Sequence, residues 1–254
     1  MSLPASFLTA PIAHRAYHDK AAGRVENSPA AIRAAVEAGY GIEIDLQLSS
    51  DGQAMVFHDY DLKRLTGTAG PIRGKTAAEL GQITLTGGND TIPTFAQVLA
   101  MVAGRVPLLV EIKDQDGAMG ANVGQLERAA AEAAQGYDGP LAFMSFNPNS
   151  VLQMAILAPD IPRGLTTSAY TQQDWQLLPA RTRDKLREIP DYDSTGACFI
   201  SHEAADLERP RVADLKRRGA AVLCWTIRSP QAEAKAREVA QNVTFEGYAA
   251  AIPA

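Results

Sequence analysis

Cysteine is scarce: Cys198 and Cys224 are the only two in 254 residues, and each sits inside an apolar run. One pair in a chain this size builds no disulfide framework, so both read as reduced core residues. Basic residues are outnumbered, 24 Lys and Arg against 29 Asp and Glu, for a net charge of −5 and a pI near 5.4. No block of Lys and Arg makes a local exception, which argues against a nucleic-acid surface and against polyanionic partners. No apolar run approaches a membrane span, and residues 1–10 (MSLPASFLTA) lack the basic start and apolar core of a signal segment. The expectation is a soluble, cytoplasmic protein with no stable membrane association. Three catalytic signatures are also missing. There is no serine nucleophile elbow and no Cys/His zinc spacing, and Gly87-Gly88 has neither a preceding strand nor a following Gly-Lys-Ser/Thr to make a phosphate loop.

What the chain does have is concentrated in Gly41–Tyr60, GIEIDLQLSSDGQAMVFHDY. Unbroken alternation predicts a strand with Ile42, Ile44, Leu46 and Leu48 on one face and Glu43, Asp45 and Gln47 on the other. Two carboxylates about 6–7 Å apart on one strand face repel by roughly 2–3 kcal/mol at an effective dielectric near 20, and a hard divalent cation relieves this. The chain then turns at Ser50-Asp51-Gly52 into a second apolar run that ends in His58-Asp59.

Around this stretch the order is regular. Pro11–Tyr17 is a short apolar run broken by His14-Arg15, and Ser28-Pro29 opens a helix that stops at Gly39. After His58, residues 59–93 show weak periodicity and read as an inserted segment near an active-site mouth. From Thr94 onward helical and strand patterns alternate: helix 94–103, strand 107–113, helix 123–135, strand 141–146, helix 150–157, strand 163–168. A helical region 172–187, strand 197–201, helix 211–218, strand 221–227, helix 231–240 and strand 242–245 complete the series. About eight strand-plus-helix units with no linker predict a single-domain α/β protein, a (β/α)8 TIM barrel with an insertion after the second strand. An open doubly wound sheet is the alternative.

In a closed parallel barrel the functional side chains come from the C-terminal ends of several strands. His14-Arg15, Glu43, Asp45, His58, Glu111 and Lys113 all recur there. In PLLVEIK, Glu111 and Lys113 share the inward face, and a third carboxylate joins the first two. Glu43, Asp45 and Glu111 can hold Mg²⁺ or Ca²⁺ through oxygen, Arg15 and Lys113 can neutralise a phosphate, and His14 and His58 can serve as acid and base. His18, beside Asp19 and Lys20 in a polar loop, reads as solvated.

These residues resemble the glycerophosphodiester phosphodiesterase family, whose pattern appears here as His14-Arg15-Ala16, Glu26-Asn27-Ser28, Glu43-Ile44-Asp45, His58-Asp59, Pro93-Thr94 and Glu111-Ile112-Lys113, and again at Ser145-Phe146 and Trp225-Thr226. The resemblance implies a metal-dependent barrel enzyme that cleaves a small-molecule glycerophosphodiester to glycerol 3-phosphate and an alcohol, within lipid and glycerol metabolism. It makes Glu43, Asp45 and Glu111 metal ligands, His14 and His58 the acid/base pair, and Arg15 and Lys113 phosphate contacts. A substrate hydroxyl is the implied nucleophile, consistent with the missing serine. Three departures stand out: Ala16 replaces a glycine, Arg228 follows Trp225-Thr226-Ile227 where the family has asparagine, and Phe245-Glu246 stands for the closing Thr-Asp. Trp225 and Arg228 are expected at the substrate rim, where an added guanidinium either disfavours choline-type leaving groups or pairs with a neighbouring acid such as Glu246. A related phosphodiesterase acting on a sugar phosphodiester or lysophospholipid, and a non-catalytic metal or phosphodiester binder, are the alternatives.

Overall fold

Strand β1 (Ile12–Ala13) hydrogen-bonds on one side to β2 (Gly41–Leu48) and on the other to β9 (Asn242–Phe245), and this closes the sheet into a ring. The computed structural model describes residues 1–253. Between those two strands run β3 (Ala54–Val56), β4 (Leu108–Ile112), β5 (Leu141–Ser145), β6 (Arg163–Thr167), β7 (Phe199–Glu203) and β8 (Ala221–Ile227). Neighbours follow the order β1-β9-β8-β7-β6-β5-β4-β2-β3, and every pairing is parallel except β3, which folds back antiparallel on the end of β2. The chain is therefore an eight-stranded parallel barrel with one extra strand, and the open sheet is excluded because both ends of the order meet at β1.

Helices α1 (Pro29–Ala38), α4 (Phe95–Val102), α5 (Gln125–Ala133), α6 (Pro148–Leu157), α7 (Ala180–Arg187), α8 (Pro210–Arg217) and α9 (Pro230–Ala236) lie between the barrel strands. Their starts follow local chemistry. Ser28 Oγ accepts from Ala31 N–H ahead of Pro29, and Thr94 forms a capping box with Gln97. Gly39, at φ 78°, ends α1 in the left-handed region that glycine enters without penalty.

Alternation sorts the side chains into two layers. Ile42, Ile44, Leu46, Val110 and Ile112 pack outward against the helices, while Ile12, Leu109, Met144, Phe199 and Leu223 fill the barrel with Phe7 beneath them. Gly164 leaves room for this filling: a Cβ there would lie 2.5 Å from the Phe199 ring. Each fully buried Leu or Phe contributes about 1.5–3 kcal/mol.

Besides shifts at helix ends, such as the last helix stopping at Ala236 instead of 240, three differences from the sequence expectation stand out. Residues 172–179 are not helix: α7 begins only at Ala180, behind Pro179, whose ring supplies no N–H, and Trp175 and Leu178 instead pack beside Tyr170. Strand β7 lies two residues later than the apolar run 197–201 suggested, because after Phe199 its alternate positions, Ser201 and Glu203, are polar and hide the strand's end from an apolar pattern. The segment after His58 has a small core of its own, in which Leu62, Leu65, Ile72, Leu80, Leu85 and Ile92 pack with Met55 and Phe57, and two four-residue helices, α2 (Lys63–Thr66) and α3 (Ala77–Leu80). Elements this short carry no helical periodicity to read. Cys198 and Cys224 are buried thiols. No helix among the described residues is long and apolar enough to cross a membrane.

Candidate active site

The inward face of β2 carries Glu43 and Asp45, and register sets Glu111 of β4 directly beside Asp45. One oxygen from each of the three carboxylates falls within 4.8 Å of the others, and all three side chains are buried. Lys113 Nζ bridges two of them, 2.9 Å from Asp45 Oδ1 and 2.7 Å from Glu111 Oε1. Asn27 Nδ2 donates to Asp45 Oδ2 over 2.9 Å, and the Arg15 backbone N–H donates to Glu43 Oε2 over 2.8 Å. Arg15 and Ala16 both stand in the left-handed region, at φ 52° and 65°. The glycine of the family pattern is thus replaced at a position that does need positive φ, and the tightness of this turn aims the Arg15 N–H at Glu43.

Electrostatics divides the three acids. Burial pushes the Glu43 carboxyl well above its ordinary range, and repulsion from Asp45 and Glu111 adds to it. Glu111 is raised by burial as well, with Lys113 opposing. For Asp45 burial also acts upward, but Lys113, His58 and Arg15 outweigh it and hold this carboxyl far below the usual carboxylate range. The cluster is under-compensated at Glu43, and among the described residues neither Glu43 Oε1 nor Glu111 Oε2 has a hydrogen bond. An all-oxygen donor set with spare lone pairs and excess negative charge fits a hard divalent cation.

Both candidate histidines are backed by carboxylates. His14 Nδ1 lies 2.6 Å from Glu246 Oε2, and His58 Nδ1 lies 2.7 Å from Asp59 Oδ1. Each carboxylate is held by an arginine. Arg228 Nε donates to Glu246 Oε1 over 2.8 Å, and Arg64 Nε and Nη2 donate to the two oxygens of Asp59 over 2.6 and 2.8 Å. The other face of Arg64 makes two 2.8 Å bonds to Glu26, which in turn accepts from Arg15 Nη1 at 2.8 Å. Burial lowers both imidazoles below their ordinary value, against the upward pull of Glu246 on His14 and of Asp45 on His58.

One cavity of about 180 Å³ collects these groups: His14, Arg15, His58 and Lys113 line it with the three carboxylates, and Trp225 and Arg228 lie on its rim. Every residue singled out from the sequence as a site candidate is therefore brought together. His18 is a correction: its side chain is three-quarters buried and its Nε2 lies 3.5 Å from Glu246 Oε2, the carboxylate that also backs His14. Arg64 was missed altogether, since a lone arginine in a weakly periodic segment carries no mark of the two acids it joins. Thr166, Ser201 and Thr244, which also line the cavity, were missed because a lone hydroxyl on a strand carries no chemical mark.

The sequence model of the glycerophosphoryl diester phosphodiesterase family matches residues 14–244. The chain is 26% identical over 221 residues to the Bacillus subtilis protein YhdW, covering 83% of this chain and 84% of that one. It is 27% identical over 161 residues to a glycerophosphodiester phosphodiesterase of Caldanaerobacter subterraneus subsp. tengcongensis, covering 60% and 65% of the two chains. Among solved structures, an Oleispira antarctica phosphodiesterase in complex with its product sn-glycerol-3-phosphate superposes with a TM-score of 0.77 at 26% identity, covering 95% of this chain and 94% of that one. A barrel whose carboxylate cluster, paired histidines and phosphate-range cations share one cavity, matched by the family's pattern from His14 to Thr244, leaves one assignment: the chain belongs to the glycerophosphoryl diester phosphodiesterase family and is a phosphoric diester hydrolase.

Proposed function

We propose that this enzyme hydrolyses glycerophosphodiesters to glycerol 3-phosphate and an alcohol, using a divalent cation held by Glu43, Asp45 and Glu111. The observation that carries the reading is the single cavity in which three buried carboxylates, two carboxylate-backed histidines and two cations face one another. A bound cation would supply Lewis-acid stabilisation of negative charge on the phosphoryl oxygens.

The chain's own residues then have defined tasks. Arg15 and Lys113 meet the anionic phosphate; Lys113, which now neutralises Asp45 and Glu111, is free to turn to the substrate once that charge is otherwise balanced. Glu246 and Asp59 accept from the Nδ1–H of His14 and His58, which fixes the tautomer that points each Nε2 away from its carboxylate. One imidazole takes a proton from the attacking substrate hydroxyl while the other delivers a proton to the leaving alkoxide, giving a cyclic phosphate and the alcohol; the second imidazole then deprotonates a water that opens the cyclic phosphate, and the first returns its proton to the displaced glycerol oxygen, leaving glycerol 3-phosphate. Trp225 offers an apolar wall to the organic part of the diester. Arg228 is already engaged by Glu246, so the substrate meets a near-neutral pair and the selection against choline weakens.

The deciding experiment is release of glycerol 3-phosphate from glycerophosphocholine and glycerophosphoinositol, measured with Mg²⁺, with Ca²⁺ and with chelator. Metal-dependent release supports the reading. Turnover undiminished by exhaustive chelation would remove the cation from it.

A further inference from the structure

His18 has no task in the reaction described above, yet its Nε2 is buried and has no hydrogen-bond partner among the described residues. A buried nitrogen left in that condition costs free energy. It lies 3.5 Å from Glu246 Oε2, just beyond the ordinary range of a hydrogen bond. Among the described residues that oxygen accepts only from His14 Nδ1, so one of its lone pairs stays open. Facing a carboxylate, the His18 nitrogen carries its hydrogen, because a bare lone pair there would meet the negative oxygen head-on.

The approach is built into the seam of the barrel. The Tyr17 ring centroid lies 5.0 Å from that of Tyr40 and 6.2 Å from that of Phe245, and the Tyr17 N–H donates to Ala31 O over 3.3 Å. Tyr17 with Phe245 and His18 with Glu246 are therefore consecutive pairs across the seam. On the far side of His18, Asp19 and Arg24 exchange backbone hydrogen bonds of 2.8 and 3.0 Å. Pinned at both neighbours, His18 stays against Glu246. The remaining restraint on this carboxylate is the bond from Arg228 Nε to Oε1, and the Arg228 side chain is 67% exposed. A long solvated side chain is a loose tether.

We infer that His18 is a positioning residue, whose Nε2–H is the second donor to Glu246 Oε2 and holds that carboxylate in the orientation that directs His14. The inference rests on the phosphodiesterase reading above for the part His14 plays. His18 does not line the active-site cavity, so it acts through Glu246. As His14 gains and loses a proton at Nε2, its pull on Glu246 rises and falls, and a fixed donor on the same oxygen keeps the pair aligned through the cycle.

The test compares His18→Leu, which fills similar space without a donor, with His18→Gln, whose amide nitrogen reaches about as far as the imidazole Nε2. Release of glycerol 3-phosphate from glycerophosphocholine and glycerophosphoinositol in Mg²⁺ is measured for each, alone and combined with Glu246→Gln. The leucine variant is expected to lose about threefold to tenfold in kcat with KM changed by less than about twofold, and the glutamine variant to recover most of that loss. In the Glu246→Gln background, His18→Leu should cost nothing further. In the chelated, substrate-free enzyme the downfield proton resonance of the His14–Glu246 hydrogen bond should broaden in His18→Leu and persist in His18→Gln. His18→Asn, polar but too short to reach, takes the place of the leucine variant if that does not fold, with the same losses expected. Equal losses in the leucine and glutamine variants, or none in either, overturn the inference, as does a leucine loss that persists undiminished beside Glu246→Gln. A loss confined to KM also overturns it, by placing His18 on the substrate. With normal release by the wild type, a resonance unmoved by His18→Leu sinks this inference alone; with no release from either diester, the phosphodiesterase reading fails and takes the inference with it.

Discussion

Glu246 Oε2 stands 2.6 Å from His14 Nδ1, joining the loop after the last strand to the loop after the first across the seam where the barrel closes. The hydrogen bond to His14 is the main cause holding the Glu246 carboxyl far below its ordinary range, with His18 and Arg228 adding to it. It is the ionised carboxylate that fixes the His14 tautomer. Glu246→Gln keeps the shape but lets an amide N–H compete for the same nitrogen. The expected outcome is a fall in kcat of about 10- to 100-fold with KM little changed. Steady-state kinetics on glycerophosphocholine check it, and an unaltered kcat would leave Glu246 without a part in positioning His14.

Arg64 couples two functional side chains that never touch, since it grips Glu26 behind Arg15 and Asp59 behind His58. It is half exposed, so removing it should cost little stability. Arg64→Met is expected to keep a thermal midpoint close to wild type while kcat/KM drops by about tenfold or more, as both partners lose their fixed orientation. A double-mutant cycle with Asp59→Asn should show strong non-additivity, and simple additivity would argue against the coupling.

The metal-free enzyme carries Glu43 at a cost, because burial and the neighbouring acids oppose its ionisation. Glu43→Gln should therefore raise the thermal midpoint measured in chelator and abolish the further rise that Mg²⁺ or Ca²⁺ gives the wild type. Calorimetric scans with and without each ion test this, and a metal-induced shift that survives in the variant would take Glu43 out of the ligand set.

His58→Ala is expected to lower kcat by at least about 100-fold. In the wild type, burial keeps both imidazoles of the free enzyme below pH 6.5, so the acid limb of kcat/KM should have its midpoint below that pH, as a property of the coupled pair. A midpoint above 6.5 would contradict the assignment.

His202 offers a stability test away from the chemistry. Burial lowers its folded-state value, against the pull of Asp206, so the unfolded chain binds its proton more readily. Its contribution is fully present above about pH 6.5 and is lost as pH falls through the folded value. Between pH 7 and 5 the wild type should lose more stability than His202→Gln, as read from urea denaturation at each pH, and parallel losses would mean that His202 does not titrate in that window.

Chain order and side-chain period were enough to foresee the eight parallel strands, the inward pairing of Glu43 with Asp45, and the addition of Glu111, because a strand's faces are fixed by alternation and a parallel barrel opens at one end. The same local rules found the helix at Pro29 through its cap. Residues 59–93 stayed opaque because four-residue helices have no period, and the helix expected from 172 failed because propensity cannot see Trp175 and Leu178 packing onto Tyr170. Tertiary structure alone decided that Arg228 meets Glu246, that Arg64 ties Glu26 to Asp59, and that His18 lies against Glu246. Those contacts join residues as distant in sequence as His18 and Glu246 or lie on irregular loops, and only the closing of β9 against β1 brings the chain's two ends within hydrogen-bonding reach.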